Sequence, residues 1–300
     1  MASESWFHLL LSLAKKLLLT PKISAMSAEP NNLNNNTKTL EFHKMSGAGN
    51  DFIIIDQRLG HNLLSSNQII KFADRKNIGC DQLILIKSSR DGFDCEMQIY
   101  NSDGSESSTC GNATRCVAGI IFEENPQKNK IIIKTSASLL ECTKVSEKLI
   151  KVNLAQPKII NPNIHLEDFD FMHVDVGNPH AVTFVDNIPH DNIFFSVAPK
   201  IEGNLKIFPN RTNVEFAKII NDSLIEVRVF ERGVGETLAC GSGACAVGVA
   251  SITKNLIKSK SVTVRFKGGD LLIEFDGTNV FMTGGYQKIF SGTIDESFLQ

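Results

Sequence analysis

The 300-residue sequence contains no apolar stretch of the ~18–20 residues needed to cross a bilayer, so stable membrane insertion is not expected. Neither sign of charge dominates: the formal net charge is -2 and charged residues make up 21%. That balance argues against a basic nucleic-acid binder and against an acidic disordered chain. No Cys-x-x-Cys occurs, and no cysteine cluster lies beside histidine at zinc-finger spacing, so no structural metal is expected. Neither a Walker loop nor a GxGxxG is present, so nothing points to a nucleotide cofactor.

What is present is a globular composition, 42% hydrophobic, enough for one large core or two medium ones. Seven cysteines are scattered at Cys80, Cys95, Cys110, Cys116, Cys142, Cys240 and Cys245. An odd number over a chain this long fits a reducing compartment and a cytoplasmic location better than a disulfide scaffold. Residues 1–38 differ from the rest. Trp6 to Leu19 is leucine-rich and interrupted by Lys15 and Lys16, and Pro30 to Thr37 is a polar, asparagine-rich linker. The segment reads as an N-terminal extension, either a flexible tail or an over-long start, with an organellar targeting helix left open.

The folded body is expected to begin near Leu40. Phe52–Asp56, Asp81–Lys87, Phe93–Tyr100, Ile131–Lys134, Leu139–Thr143 and Lys148–Val152 read as strands, and Thr114–Glu123 as a buried helix. The second half repeats the order. Val174–Val176, Ala181–Val185, Asn213–Ile220 and Leu224–Phe230 are strands, and Gly243–Ile252 is an apolar helix of small residues. Ser261–Phe266 and Leu271–Phe275 form a hairpin through Lys267-Gly268-Gly269-Asp270.

Two segments of these halves match. Gly104 to Cys116 and Val234 to Cys245 each place a glutamate four residues before a Cys-Gly, then a small polar residue, then an apolar helix. Each half therefore presents one cysteine, Cys110 or Cys240, at a helix start. Unpaired N–H groups there favour thiolate, below the free pKa of about 8.5. The same groups can cradle a carboxylate. Two such starts facing across a cleft could hold an amino acid with its α-carbon between two sulfurs. One thiolate would remove the α-proton while the other thiol donates from the opposite face. The remaining five cysteines read as core packing.

Four segments resemble the diaminopimelate epimerases, pyridoxal-independent enzymes of lysine and cell-wall precursor synthesis. They are Met45–Asp56 (MSGAGNDFIIID), Asn101–Cys116 (NSDGSESSTCGNATRC), Gly177-Asn178-Pro179-His180 and Glu231–Ala246 (ERGVGETLACGSGACA). The resemblance runs from about Leu40 to near the C-terminus. It implies interconversion of LL- and meso-2,6-diaminopimelate without a cofactor, with Cys110 and Cys240 catalytic. It implies that Asn101, Asn178, Asn213 and Arg232 hold the distal head of the substrate. Asn50, Gln82, His180 and Glu231 would line the reacting end, His180 in a supporting role. The amides of Gly111-Asn112 and Gly241-Ser242 would form two carboxylate cradles.

The resemblance also implies an α/β fold of two pseudo-symmetric domains. Each would be a curved, barrel-like mixed sheet around a central helix, with the active site in the cleft between them. Domain one would cover 39–154 plus 286–300, with Tyr286–Phe290 returning to it, and domain two 155–285. Gly177, Gly233 and Gly235 are candidate flexible points for closure, and a homodimer is expected. The sequence departs from the family at Ser46, Ala48 and Ala113, where His, Leu and Gly are usual. Three other readings stay open: a proline or hydroxyproline racemase-like relative, a non-catalytic amino-acid-binding module, and a redox role through a Cys110–Cys240 disulfide.

Overall fold

A computed structural model describes residues 39–60, 64–89 and 91–300. The expectation of a linker or targeting helix in residues 1–38 lies outside the described residues. The described residues form one compact unit. Its first half runs β1 (Thr39–Gly47), β2 (Asn50–Asp56), α1 (Ser66–Ala73), β3 (Gln82–Lys87), β4 (Cys95–Asn101) and β5 (Glu106–Ser107). It continues with α2 (Gly111–Glu124), β6 (Lys130–Lys134), β7 (Leu139–Lys144) and β8 (Leu149–Ala155). The second half runs β9 (Lys158–Leu166), β10 (Phe169–Asp175), β11 (Pro179–Phe184), α3 (Asp191–Glu202), β12 (Asn213–Asn221) and β13 (Leu224–Glu231). Then follow β14 (Gly235–Glu236), α4 (Gly241–Thr253), β15 (Ser261–Phe266), β16 (Gly269–Phe275), β17 (Val280–Gly285), β18 (Gln287–Asp295) and a 3-10 turn at Glu296–Leu299.

The two halves pair their strands in the same pattern. β1 is antiparallel to β2, β2 parallel to β3, β3 antiparallel to β4, and β4 parallel to β6. The same sequence of pairings holds for β10, β11, β12, β13 and β15. Each parallel pair needs a crossover, and a helix supplies it in every case. β8 pairs with β17 and joins the halves into one continuous mixed sheet. β18 returns to pair antiparallel with β1, and β9 takes the equivalent place beside β10. The short repeat read in the sequence is thus the visible part of a full topological repeat.

Each half of the sheet wraps one buried helix. α2 is buried from Asn112 to Phe122, packing Val117, Ile121 and Phe122 with Ile54, Ile84, Met97 and Val152. α4 is buried from Gly243 to Ser251 with Val174, Val182, Ile225, Val264 and Ile273 around it. Helices apolar on all sides belong inside a core. Each fully buried Val, Ile or Phe contributes roughly 1.5–3 kcal/mol. Cys95, Cys116 and Cys142 are buried in the first of these cores and Cys245 in the second, and Cys80 is buried in a separate cluster with Phe42, Ile53 and Phe72, as packing cysteines should be.

Most expected strands are present, with ends moved by a few residues. The hairpin turn is shorter than expected: Phe266 pairs with Gly269, which leaves only Lys267-Gly268 in the loop. α1, α3, β1, β9 and β17 carry no strong sequence signal. The alternation of β13 also conceals an exception. Arg228 falls on the face of β13 shared with Leu224, Glu226 and Phe230, opposite Ile225, Val227 and Val229, yet it is buried. Its guanidinium stacks 3.8 Å over Phe194 and pairs with Glu236 and Asp191.

Candidate active site

Both cysteines of the repeat cap a helix. Cys110 is the N-cap of α2, extended at φ -154 and ψ 105, and its sulfur accepts from the Ala113 N–H at 3.5 Å. Cys240 caps α4 at φ -128 and ψ 116, accepting from the Gly243 N–H at 3.4 Å. Ser, Thr, Asp or Asn would cap more strongly. Sulfur at both caps is therefore a chemical choice rather than a stabilising one. Ala113 sits inside the helix, fully buried, so its methyl is accommodated without strain. Ala48 instead holds φ 50, in the left-handed region of the β1–β2 turn.

A cleft of about 1380 Å³ opens over the two caps. Cys110, Gly111, Asn112, Cys240, Gly241 and Ser242 line it, together with Asn50, Gln82, Asn101, Asn178, Asn213, Glu231 and Arg232. The helix starts approach closely because both first residues are glycine. A Cβ on Gly111 would stand 2.6 Å from Met282 Cε, and one on Gly241 would stand 3.2 Å from Met282 Sδ. Met282, on β17, is thus wedged between the two starts.

On the first side, the polar groups are tied to each other. Gln82 Nε2 donates to Asn101 Oδ1 at 3.0 Å, across register-paired positions of β3 and β4. The two residues are hydrogen-bonded neighbours, although the resemblance implied opposite ends of the substrate for them. Asn50 Nδ2 donates to Asp81 Oδ2 at 3.3 Å, and Asn112 Nδ2 donates to Asn50 Oδ1 at 2.6 Å. A carboxylate only accepts, so Asp81 fixes the orientation of both amides in turn. Asn112 Oδ1 is left buried without a partner, beside Gly241.

On the second side, Asn213 Nδ2 donates to Pro179 O at 2.9 Å, and Asn213 Oδ1 accepts from the Arg232 backbone N–H at 3.0 Å. Arg232 is exposed at the rim, with Nη1 donating to Asn210 O at 3.1 Å. Asn178 Nδ2 donates to Ser242 Oγ at 3.3 Å, and Ser242 Oγ lies 3.4 Å from Cys240 Sγ. His180 does not line the cleft. It is fully buried behind Asn178, with Nε2 3.1 Å from Asn178 Oδ1 and Nδ1 2.6 Å from Glu215 Oε1. Thr237 Oγ1 donates to Glu231 Oε1 at 2.5 Å.

Thiol acidity departs from the sequence expectation. Burial pushes Cys110 up to about 11; the Ala113 N–H lowers it only in part, and Glu231 raises it further. Burial, then Glu231 and Glu215, push Cys240 well above the usual thiol range, against the Ser242 and Gly243 bonds. Glu231 is itself raised, chiefly by burial, with the Thr237 and Cys240 bonds opposing. The cap N–H groups do not offset removal from water beside carboxylates. The balance of these effects favours the thiol over the thiolate at both cysteines.

Sequence reasoning missed Asp81, Glu215, Thr237 and Met282. Thr237 lies within the repeat and Asp81 adjoins Gln82, so both were within reach. Glu215 and Met282 lie on ordinary strands, and only the register brings them to the helix starts.

The chain matches the profile of the family described as diaminopimelate epimerase over residues 42–160 and 172–289. A diaminopimelate epimerase of Methanococcus maripaludis is 39% identical over 281 residues, covering 85% of this chain and 100% of that protein. One from Pelagibacter ubique is 40% identical over 266 residues, covering 82% and 95%. Among solved structures, a hydroxyproline epimerase from Agrobacterium vitis superposes with TM-score 0.65 at 12% identity, covering 85% of this chain and 92% of that one. A Bacillus anthracis phenazine biosynthesis protein of the PhzF family superposes with TM-score 0.64 at 17% identity, covering 86% and 99%. At such identities these structures speak for the fold alone. The sequence matches go further, and the chain belongs to the diaminopimelate epimerase family.

Proposed function

We propose that the protein interconverts LL- and meso-2,6-diaminopimelate by a two-base exchange at Cys110 and Cys240. The observation that carries the reading is the pair of cysteine N-caps lining one cleft. The substrate α-carboxylate lies between the two helix starts, on the amides of Gly111-Asn112 and Gly241-Ser242. Those dipoles stabilise the charge that moves onto the carboxylate as the α-proton leaves. One sulfur, as thiolate, takes that proton; the other, as thiol, gives its proton to the opposite face. Protons balance, and the enzyme ends with the roles of its sulfurs exchanged.

Thiols pushed up by burial fit this scheme once substrate is considered. The ammonium on the reacting carbon brings a positive charge beside the sulfurs, and an opposite charge favours thiolate. The distal head also carries both charges. Arg232 supplies the donor fork for its carboxylate, and Asn101, Asn178 and Asn213 supply acceptors and donors without adding charge. Gln82 orients Asn101, and Asn50 orients Asn112. His180 and Glu215 hold Asn178 from behind.

The reading includes two closing domains, 39–154 with 286–300 and 155–285. Gly177, at φ 103, lies between β10 and β11, and Gly233 and Gly235, at φ 74 and 105, lie where β13 turns into β14. It also includes a homodimer, as the resemblance implies, and a cytoplasmic location, as the scattered, odd-numbered cysteines suggest.

Incubating the reduced protein with LL-diaminopimelate in heavy water tests the function. Deuterium should enter the α-carbon as the meso form accumulates. Binding without α-deuterium would replace the reading with a binding module. Turnover of hydroxyproline but not diaminopimelate would replace it with the racemase-like one.

A further inference from the structure

Arg115 is fully buried, one turn along α2 from Gly111. Its Nε donates to Gly285 O at 3.2 Å, and Nη1 donates to Gly111 O and towards Met282 Sδ, each at 3.4 Å. Nη2 has no partner. Among the described residues no carboxylate forms an ion pair with it. The titratable groups that act on it are the thiols of Cys116, Cys110 and Cys245. Met282, which it touches, is the side chain wedged between Gly111 and Gly241. The guanidinium therefore lies one layer beneath the floor of the cleft.

A buried charge without a counter-ion is costly, and an arginine does not escape the cost by losing its proton. The site above it acquires negative charge only in use, as a thiolate and a substrate carboxylate. We propose that Arg115 is a positioning residue for the reaction: its guanidinium is a fixed positive charge under the cleft floor that favours the Cys110 thiolate and braces the Gly111 carbonyl. Its influence is directional. At Cys110 the charges of Glu231 and Arg115 act in opposite directions, whereas at Cys240 Glu231 and Glu215 act together.

The inference rests on Cys110 being an acid–base residue, but its test needs no diaminopimelate. Full-length reduced protein is alkylated with iodoacetamide at pH 8, and the rate at each cysteine is read by peptide mass spectrometry. Arg115→Met keeps the bulk and removes the charge; it should slow Cys110 alkylation about tenfold, as the loss of roughly one unit of thiol acidity requires. Cys116→Asp sets a carboxylate beside the guanidinium and should slow Cys110 similarly. Arg115→Lys should stay within about threefold of the parent, and Cys240 should change less than Cys110 in every variant. Arg115→Met should melt at or above the parent temperature, since it removes an unpaired buried charge.

An unchanged Cys110 rate in a folded Arg115→Met or Cys116→Asp protein overturns the inference. So does Arg115→Lys as slow as Arg115→Met, or loss of the fold in both charge-altering variants, which would make Arg115 structural. Absence of α-deuterium in the parent enzyme would instead sink the proposed function and leave these rates to be judged alone.

Discussion

Asn112 Oδ1 stands 3.1 Å from where a Cβ would begin on Gly241. This contact spans the two halves, and it cannot relax by rotating the amide. Asp81 holds Asn50, and Asn50 holds the Asn112 amino group at 2.6 Å.

Gly241→Ala therefore crowds a locked acceptor and the Met282 sulfur at once. Activity should fall about 10–100-fold, because small displacements of a reacting centre carry large rate costs. Stability should fall by no more than about 1–3 kcal/mol, the usual range for overpacking. Steady-state kinetics beside a thermal melt separates the two. Full activity in Gly241→Ala would show that this approach does not set the cradle.

Cys110→Ala and Cys240→Ala should each stop inversion in both directions. Each direction needs one remover and one donor, and each group contributes at least roughly 10²–10⁴-fold. Epimerisation of either isomer, followed by chiral separation, reads the loss. Near-parental inversion by either single variant is incompatible with the two-base scheme.

Arg232→Ala should lower kcat/KM for diaminopimelate by roughly 10–100-fold, the worth of about 1.5–3 kcal/mol for a charged hydrogen bond. The side chain is exposed at the rim, so the melting temperature should hardly move. If the variant handles diaminopimelate as the parent does, Arg232 does not bind the distal head.

Stability should fall steeply in alkali. All seven thiols are pushed up by burial, Cys80, Cys95, Cys116 and Cys245 to about 12 and Cys110 to about 11. Above an unfolded thiol pKa of about 8.5, the unfolded chain binds fewer protons than the native one. The thiol contribution is thus fully present below about pH 8.5 and is lost as pH rises towards the folded values. The slope approaches about 1.4 kcal/mol per pH unit for each thiol. Urea midpoints in reductant should drop between pH 8.5 and 10, and Cys95→Ala should flatten the drop by one thiol. A midpoint constant over that range would contradict the buried, neutral state of these groups.

Residues 39–300 yielded much of their fold to pattern alone. Met97 and Ile99 alternate with Gln98 and Tyr100, and β4 buries them that way. Arg228 broke the same rule in β13, because α3 covers the polar face and supplies Phe194 and Asp191 to it. α1 and α3 were missed because each is short and half-exposed, and a few apolar residues over two or three turns do not establish a period.

The sequence by itself determined the pair at the centre of the site. A glutamate, a Cys-Gly and an apolar helix, repeated 130 positions apart, place one sulfur on each of two helix starts, because capping is a local property of a few neighbouring residues. It could not determine the acidity of those sulfurs. Local capping argued for thiolates; burial, with Glu231 acting on both sulfurs and Glu215 on Cys240, pushes both thiols up instead. Nor could it place Met282 between the helix starts or Arg115 beneath them, since strand register between distant segments decides both.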